Sequence, residues 1–136
     1  MKFNYKICRD GTPRPVIAIT LENKGIQTSY EVLVDSGADI CIFHSGIADV
    51  LGLDWQKGQK REVFGIGGKA SVYYLLPVKI IVGGWPFEIV AGFMPNVAGI
   101  MDYGVVGQKG FFDIFVVKFD LLKEEIELKA RNGKGL

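Results

Sequence analysis

Tyr30-Glu31-Val32-Leu33-Val34-Asp35-Ser36-Gly37-Ala38-Asp39-Ile40-Cys41-Ile42-Phe43 is the stretch whose reading decides the fold. On either side of a short acidic turn, Val32 to Val34 and Ile40 to Phe43 are β-branched or large apolar residues with no charge among them, as in strands covered on both faces. Asp35 is thus an ionisable residue placed where burial begins. Ser36 adds a hydroxyl, Gly37 freedom to turn, and Ala38 a side chain too small to keep another backbone away. Alone, Asp-Ser-Gly is ordinary turn chemistry; its apolar flanks make it a candidate site.

Two later stretches bear on it. Arg61 to Phe64 and Lys69 to Tyr74 flank Gly65-Ile66-Gly67-Gly68, which predicts a hairpin with a glycine-rich tip and one apolar side chain, Ile66. Val105-Val106-Gly107 is a short apolar strand whose glycine permits close backbone packing. The same glycine-rich tip nominally fits Gly-x-Gly-x-x-Ala, but a dinucleotide fingerprint needs a helix next, and Ser71 to Pro77 is β-rich. A P-loop reading fails because Ala70, not Ser or Thr, follows Lys69.

Taken in order, these three segments resemble the retropepsin-like aspartic proteases, in which an apolar strand leads into Asp-[Thr/Ser]-Gly-Ala; the matching residues are Val34-Asp35-Ser36-Gly37-Ala38-Asp39. Over about Val16 to Leu128 the resemblance implies an all-β chain, a closed β-barrel with a Gly-rich flap hairpin and one or two short helices. It implies that Asp35 is catalytic and that Ser36 supports the loop by hydrogen bonding across a dimer. Gly37, Ala38, Asp39, Gly65, Ile66, Gly67, Val105 and Val106 are then the substrate-binding residues. The family often carries Arg straight after the late glycine, paired with the Asp that follows the catalytic Ala. Here Gln108 stands there, so either Gln108 bonds to Asp39 or another cation, such as Arg9 or Lys109, replaces the arginine. Phe64 stands where a glycine is frequent, and the C-terminal stretch is longer than in the viral enzymes, so their four-stranded dimer sheet is not assumed.

Cleaving a peptide bond with carboxylates takes two of them sharing a proton, one activating water and the other donating to the carbonyl oxygen. The chain has a single Asp-[Ser/Thr]-Gly; Asp39, Asp102, Asp113 and Asp120 lack that setting. The second carboxylate must come from a second copy, in a C2 homodimer that sets Asp35 against Asp35. The expected function is an aspartic endopeptidase acting on an extended peptide or unfolded protein substrate, with water as nucleophile. One rival is a catalytically inactive dimerisation or peptide-binding module of the same fold. Another is a small β-barrel interaction domain in which Asp35 merely caps a turn.

Composition agrees with a globular domain. The chain has 136 residues, 49% apolar and 23% charged, which predicts one domain over residues 1–130 and a polar tail at 131–136. A net charge of +1 gives no reason to expect nucleic acid or an anionic membrane as partner. Two cysteines, Cys8 and Cys41, and one histidine suggest neither a disulfide framework nor a zinc site, and no metal or cofactor is expected. The opening residues lack an apolar signal core and no stretch reaches a membrane-spanning length, so a soluble, cytoplasmic protein is expected.

Strands are expected at Phe3 to Cys8, Val16 to Leu21 and Gln27 to Val34, the last two joined by turn chemistry at Asn23-Lys24-Gly25. Ser45 is a candidate N-cap for a short helix facing inward through Ile47, Val50 and Leu51 and ending at Gly52. A further hairpin spans Val78 to Val82 and Phe87 to Phe93, with Trp85 and Phe93 read as core in preference to groove. Phe111, Ile114 and Phe115 suggest a second short helix. Val117, Phe119 and Leu121 then alternate as the apolar face of a strand, and Ile126 to Lys129 follows as its partner.

Overall fold

The computed structural model describes residues 1–64, 70–97 and 102–131. In chain order the strands begin with β1 (Lys2–Asn4), β2 (Lys6–Ile7), β3 (Pro13–Arg14), β4 (Val16–Asn23), β5 (Ile26–Val34) and β6 (Ile42–His44). Helix α1 (Ser45–Val50) and a 3₁₀ turn at Trp55–Lys57 follow, then β7 (Gln59–Phe64), β8 (Ala70–Val82), β9 (Trp85–Met94), β10 (Gly104–Val106), β11 (Phe115–Asp120) and β12 (Glu125–Ala130). The chain is mostly strand with few helical residues, the all-β fold class that the sequence implies.

Strand pairings run β4-β5-β10-β6-β9-β8, and β8 pairs back onto β4 through Thr20↔Ile81, Leu21↔Ile80 and Glu22↔Lys79, so the ring of pairings returns to its start. Such closure leaves few sheet edges to protect. Two of the pairings, β5 with β10 and β6 with β9, are parallel, which carries β10 between the strands that enter and leave the Asp35 turn. β7 continues the sheet beyond β8, and a separate sheet of order β1-β12-β11 lies outside the ring.

The core follows strand alternation. Val32, Phe43, Ile80, Ala91, Phe93 and Val106 are fully buried, and burial of each of the larger side chains contributes roughly 2 kcal/mol. Tyr30, Phe43 and Phe93 stack edge to face in series. A second aromatic chain, Phe87 to Phe115 to Phe111, ties the terminal sheet to the ring. Phe93 is core as expected, whereas Trp85 is 39% exposed because it stands just past the Gly83-Gly84 turn, beyond the reach of the interior.

Several local expectations shift by a residue or two. The first strand breaks at Tyr5, whose N–H goes to the Glu124 carbonyl, so β1 joins the terminal sheet and β2 pairs with β3. In the β4–β5 hairpin the left-handed residues are Lys24 and Gly25; Asn23 instead donates its side-chain amide to the Leu51 carbonyl. His44, not Ser45, caps α1, its Nδ1 accepting the Gly46 N–H at 2.8 Å. Ser45, Ala48 and the C-capping Leu51 are buried and Ile47 packs partly against the core as expected, whereas Val50 is 56% exposed.

The aromatic stretch after Gly107 is a run of turns instead of a helix. Phe112 N–H reaches back to Gly107 and Asp113 N–H to Gln108, spans too wide for α-helical bonding, and a single helix-like turn closes where Ile114 and Phe115 N–H both reach the Phe111 carbonyl. Phe111 and Phe115 are nonetheless fully buried. In the hairpin that follows, Phe119 and Leu121 are exposed, and Leu122 at the tip is 97% exposed. Their alternation is real, but β11 is an edge strand with nothing described against its outer end. Arg131, expected to open the tail, donates to the Ile114 and Phe112 carbonyls; residues 132–136 lie outside the described set.

Candidate active site

Asp35 sits at the end of β5, partly buried, with its N–H bonded to the Val106 carbonyl at 3.0 Å. One carboxylate oxygen, Oδ1, accepts the Gly37 N–H at 2.9 Å, and the Asp35 carbonyl accepts from Ala38 at 3.2 Å. The carboxylate is therefore folded over its own turn, and its second oxygen accepts no hydrogen bond among the described residues. Ser36 and Gly37 are exposed, and Ala38 is half-buried.

The loop beyond is sewn to the strand that passes beside it. Gln108 N–H donates to the Ala38 carbonyl at 2.8 Å, Lys109 N–H to the Asp39 carbonyl at 3.0 Å, and Ile40 bridges Lys109 in parallel. Gly107 is what allows this: a β-carbon there would lie 2.4 Å from the Ala38 oxygen and 2.6 Å from the Ile40 oxygen. Any side chain would push the loop away from the strand. Behind the loop, the Cys41 thiol donates to the Lys109 carbonyl at 3.4 Å, and burial pushes that thiol up to about 11. Both cysteines are free.

Gln108 resolves the question left by the missing arginine. Its side-chain amide donates to the Ser36 carbonyl in a short hydrogen bond, not to Asp39. Asp39 is exposed, and among the described residues neither Arg9 nor Lys109 forms an ion pair with it. The neutral amide thus pins the turn through main chain, where a cation would have used charge.

The other named residues divide. Val105 is half-buried and faces outward beside the turn, whereas Val106 is fully buried and offers the site only its carbonyl. A groove wall at Val106 is therefore corrected to a core contact. Gly65, Ile66 and Gly67 lie outside the described residues, as does the tip of the expected flap. β7 and β8, which flank that tip, pair antiparallel from Gln59↔Leu75 to Phe64↔Ala70.

One residue beside the site was missed in sequence. Ile42 pairs with Val105 on one side and Gly92 on the other, so all three share the outward face. The clue was available in the period of two, since Cys41 and Phe43 face the core and Ile40 and Ile42 must then face out. Among the described residues no three His, Cys, Asp or Glu side chains gather as a metal site, and no described helix is long and apolar enough to cross a membrane.

No protein-family model matches the chain, and no curated protein matches it in sequence. Among solved structures it is similar to a retropepsin-like aspartic protease from Rickettsia conorii, with a TM-score of 0.64 and 17% identity over 94% of this chain and 89% of that one. It is also matched to EIAV protease complexed with the inhibitor HBY-793, with a TM-score of 0.47 and 20% identity over 69% of this chain and 81% of that one. The first likeness and the strand ring establish a retropepsin-like fold.

Proposed function

We propose that this chain is an aspartic endopeptidase that works as a homodimer, each subunit supplying one Asp35 to a shared site. The observation that carries the reading is the turn itself. A partly buried carboxylate is held over Asp-Ser-Gly by the Gly37 N–H, on a loop locked to the end of β10 and the residues after it, through Lys109, by main-chain bonds and by the absence of a side chain at Gly107. A turn that merely changed direction would need none of that bracing.

Across a two-fold axis the paired carboxylates hold one proton between them, because like charges at contact distance do not both ionise. The ionised member takes a proton from water as it attacks the scissile carbonyl; the protonated member donates to the carbonyl oxygen. Water is the nucleophile, and no covalent intermediate forms on the protein. In this reading Ser36 bonds to the facing subunit; its exposure on the turn and the Gln108 bond to its carbonyl support that role. Val105 and Ala38 supply apolar walls, so apolar side chains are expected next to the cleaved bond. In this reading Gly65, Ile66 and Gly67, which lie outside the described residues, serve as the flap that excludes water.

The test is cleavage of a diverse peptide pool by the purified protein beside Asp35→Asn, with sedimentation to give the mass. The amide introduced by that substitution keeps an oxygen for the Gly37 N–H, so the variant stays folded. A loss of cleavage of about a thousandfold or more is expected, with a bell-shaped pH profile in the parent centred at about pH 4–6. Folded, dimeric parent protein that binds peptides without cutting them would favour a peptide-binding module instead. A stable monomer indifferent to Asp35→Ala would favour a small interaction domain.

A further inference from the structure

The outward face beside the Asp35 turn continues well past Val105. Strand register places Val105, Ile42, Gly92 and Leu75 in one cross-strand row, each paired directly with the next. Directly paired residues share a face, and their sequence neighbours Val106, Cys41, Phe43, Ala91 and Phe93 are buried on the other side. Gly92 leaves room in this row for the Tyr73 ring: a β-carbon there would sit 2.7 Å from Tyr73 and 2.8 Å from Ile42. The row ends in an open depression of about 550 Å³ whose apolar walls include Ile40, Leu75, Val90 and Ile114. Val90 is 53% exposed between the buried Ile89 and Ala91.

The rim is charged. Glu88, two residues along β9 from Val90, and Asp113 line it together with one cation, Lys109, while Lys79, the cross-strand partner of Glu88, is held by Glu22 at 3.1 Å. Glu88 forms no ion pair or hydrogen bond among the described residues, and Asp113 uses one oxygen for the Gly110 N–H. An apolar floor with an excess of carboxylate at its edge suits a long aliphatic stem ending in a positive charge.

We propose that this depression is a distal recognition pocket of the same groove, taking a lysine or arginine side chain of an extended peptide. Three interstrand steps from Val105 to Leu75 span about 14 Å, or about four residues of extended chain, which sets the distance from the scissile bond. The proposal rests on the reading of the Asp35 turn as a peptide-cleaving site. In a C2 dimer the pocket occurs once on each side of the paired aspartates, so the basic preference falls about four residues to either side.

The test uses labelled extended peptides of about ten residues, carrying Arg, Leu, Ala or Glu at those outer positions, and reads binding to Asp35→Asn protein by fluorescence anisotropy. Arg is expected to bind about five- to tenfold tighter than Ala, and Glu weakest, from stem burial plus a half-exposed charge contact. Glu88→Lys should reverse the order of Arg and Glu, and Val90→Trp, which plugs an exposed wall, should erase the preference for Arg. Leu or Ala binding as well as Arg, an order unchanged by Glu88→Lys, or no binding of any peptide overturns the pocket. Cleavage by the parent protein is scored separately. Cleavage without an outer preference sinks the pocket and leaves the peptidase, whereas a preference without cleavage does the reverse.

Discussion

The turn at Asp35 and the hairpin tip at Leu121 both end apolar strands, yet one is held at nearly every residue and the other at few. At the turn, main-chain bonds from Val106, Gln108 and Lys109 meet the loop amides and carbonyls between Asp35 and Asp39, and Gly107 leaves no slack. At the tip, Glu124 N–H reaches Leu121, Lys123 N–H reaches Asp120, and Leu121 and Leu122 stand in solvent. The main-chain bracing is concentrated around the carboxylate proposed to be catalytic. The hairpin is anchored at its root, where Phe115 packs on Phe87 and Phe111.

The largest stability effect is expected at that root. Phe115→Ala should cost about 3–5 kcal/mol, read from urea midpoints, because a fully buried ring leaves a cavity joining two sheets. Gly107→Ala should cost about 3 kcal/mol, since the new methyl meets backbone oxygens that cannot move without breaking the Gln108 and Lys109 bonds. It should also depress any peptide cleavage more than its stability loss explains, a split that Phe115→Ala should not show.

A third effect is in pH. Burial raises the Cys41 thiol from 9.0 to about 11, so the folded chain keeps a proton that the unfolded chain loses. The unfolded state then binds fewer protons, and stability from this group, complete below pH 9.0, declines as pH rises towards 11. Cys41→Ala should flatten that part of a denaturation series. In the native protein iodoacetamide should reach half-exposed Cys8 well before Cys41.

Smaller still, Gln108→Ala should cost about 1 kcal/mol for its bond to the Ser36 carbonyl. Leu122→Ser at the open tip should change stability by less than about 0.5 kcal/mol. A large loss at Leu122 would show that the tip is covered in solution and would erase the contrast between the two regions.

The same contrast explains what could be read in advance. The Asp35 turn and Gly107 were legible because close backbone approach demands small residues at fixed places, and those demands are written in single letters. The hairpins were legible from alternation, whereas size alone put both Phe93 and Trp85 in the core and was right only for Phe93. What escaped depends on partners that sequence does not display. Phe119 and Leu121 keep the right period on a strand that lacks a neighbour at its edge, and Val106 shows its carbonyl to the site while its side chain joins the core. The aromatic stretch has helical spacing but opens with turns too wide for α-helical bonding, and α1 begins at Ser45 because the His44 imidazole takes the capping role. Gln108 was recognised as the odd residue, but its partner, a carbonyl instead of a carboxylate, followed only from the path of the chain.

The measurement that tests the shared site most directly is a mixing series. Parent and Asp35→Asn protein are combined at fixed total concentration, allowed to exchange subunits, and assayed for peptide cleavage. If each site needs Asp35 from two chains, an equal mixture should retain about a quarter of the parent activity, the fraction of dimers with both aspartates. Retention of about half, in proportion to the parent chains present, would mean that each chain carries a complete site and would contradict the paired-aspartate mechanism.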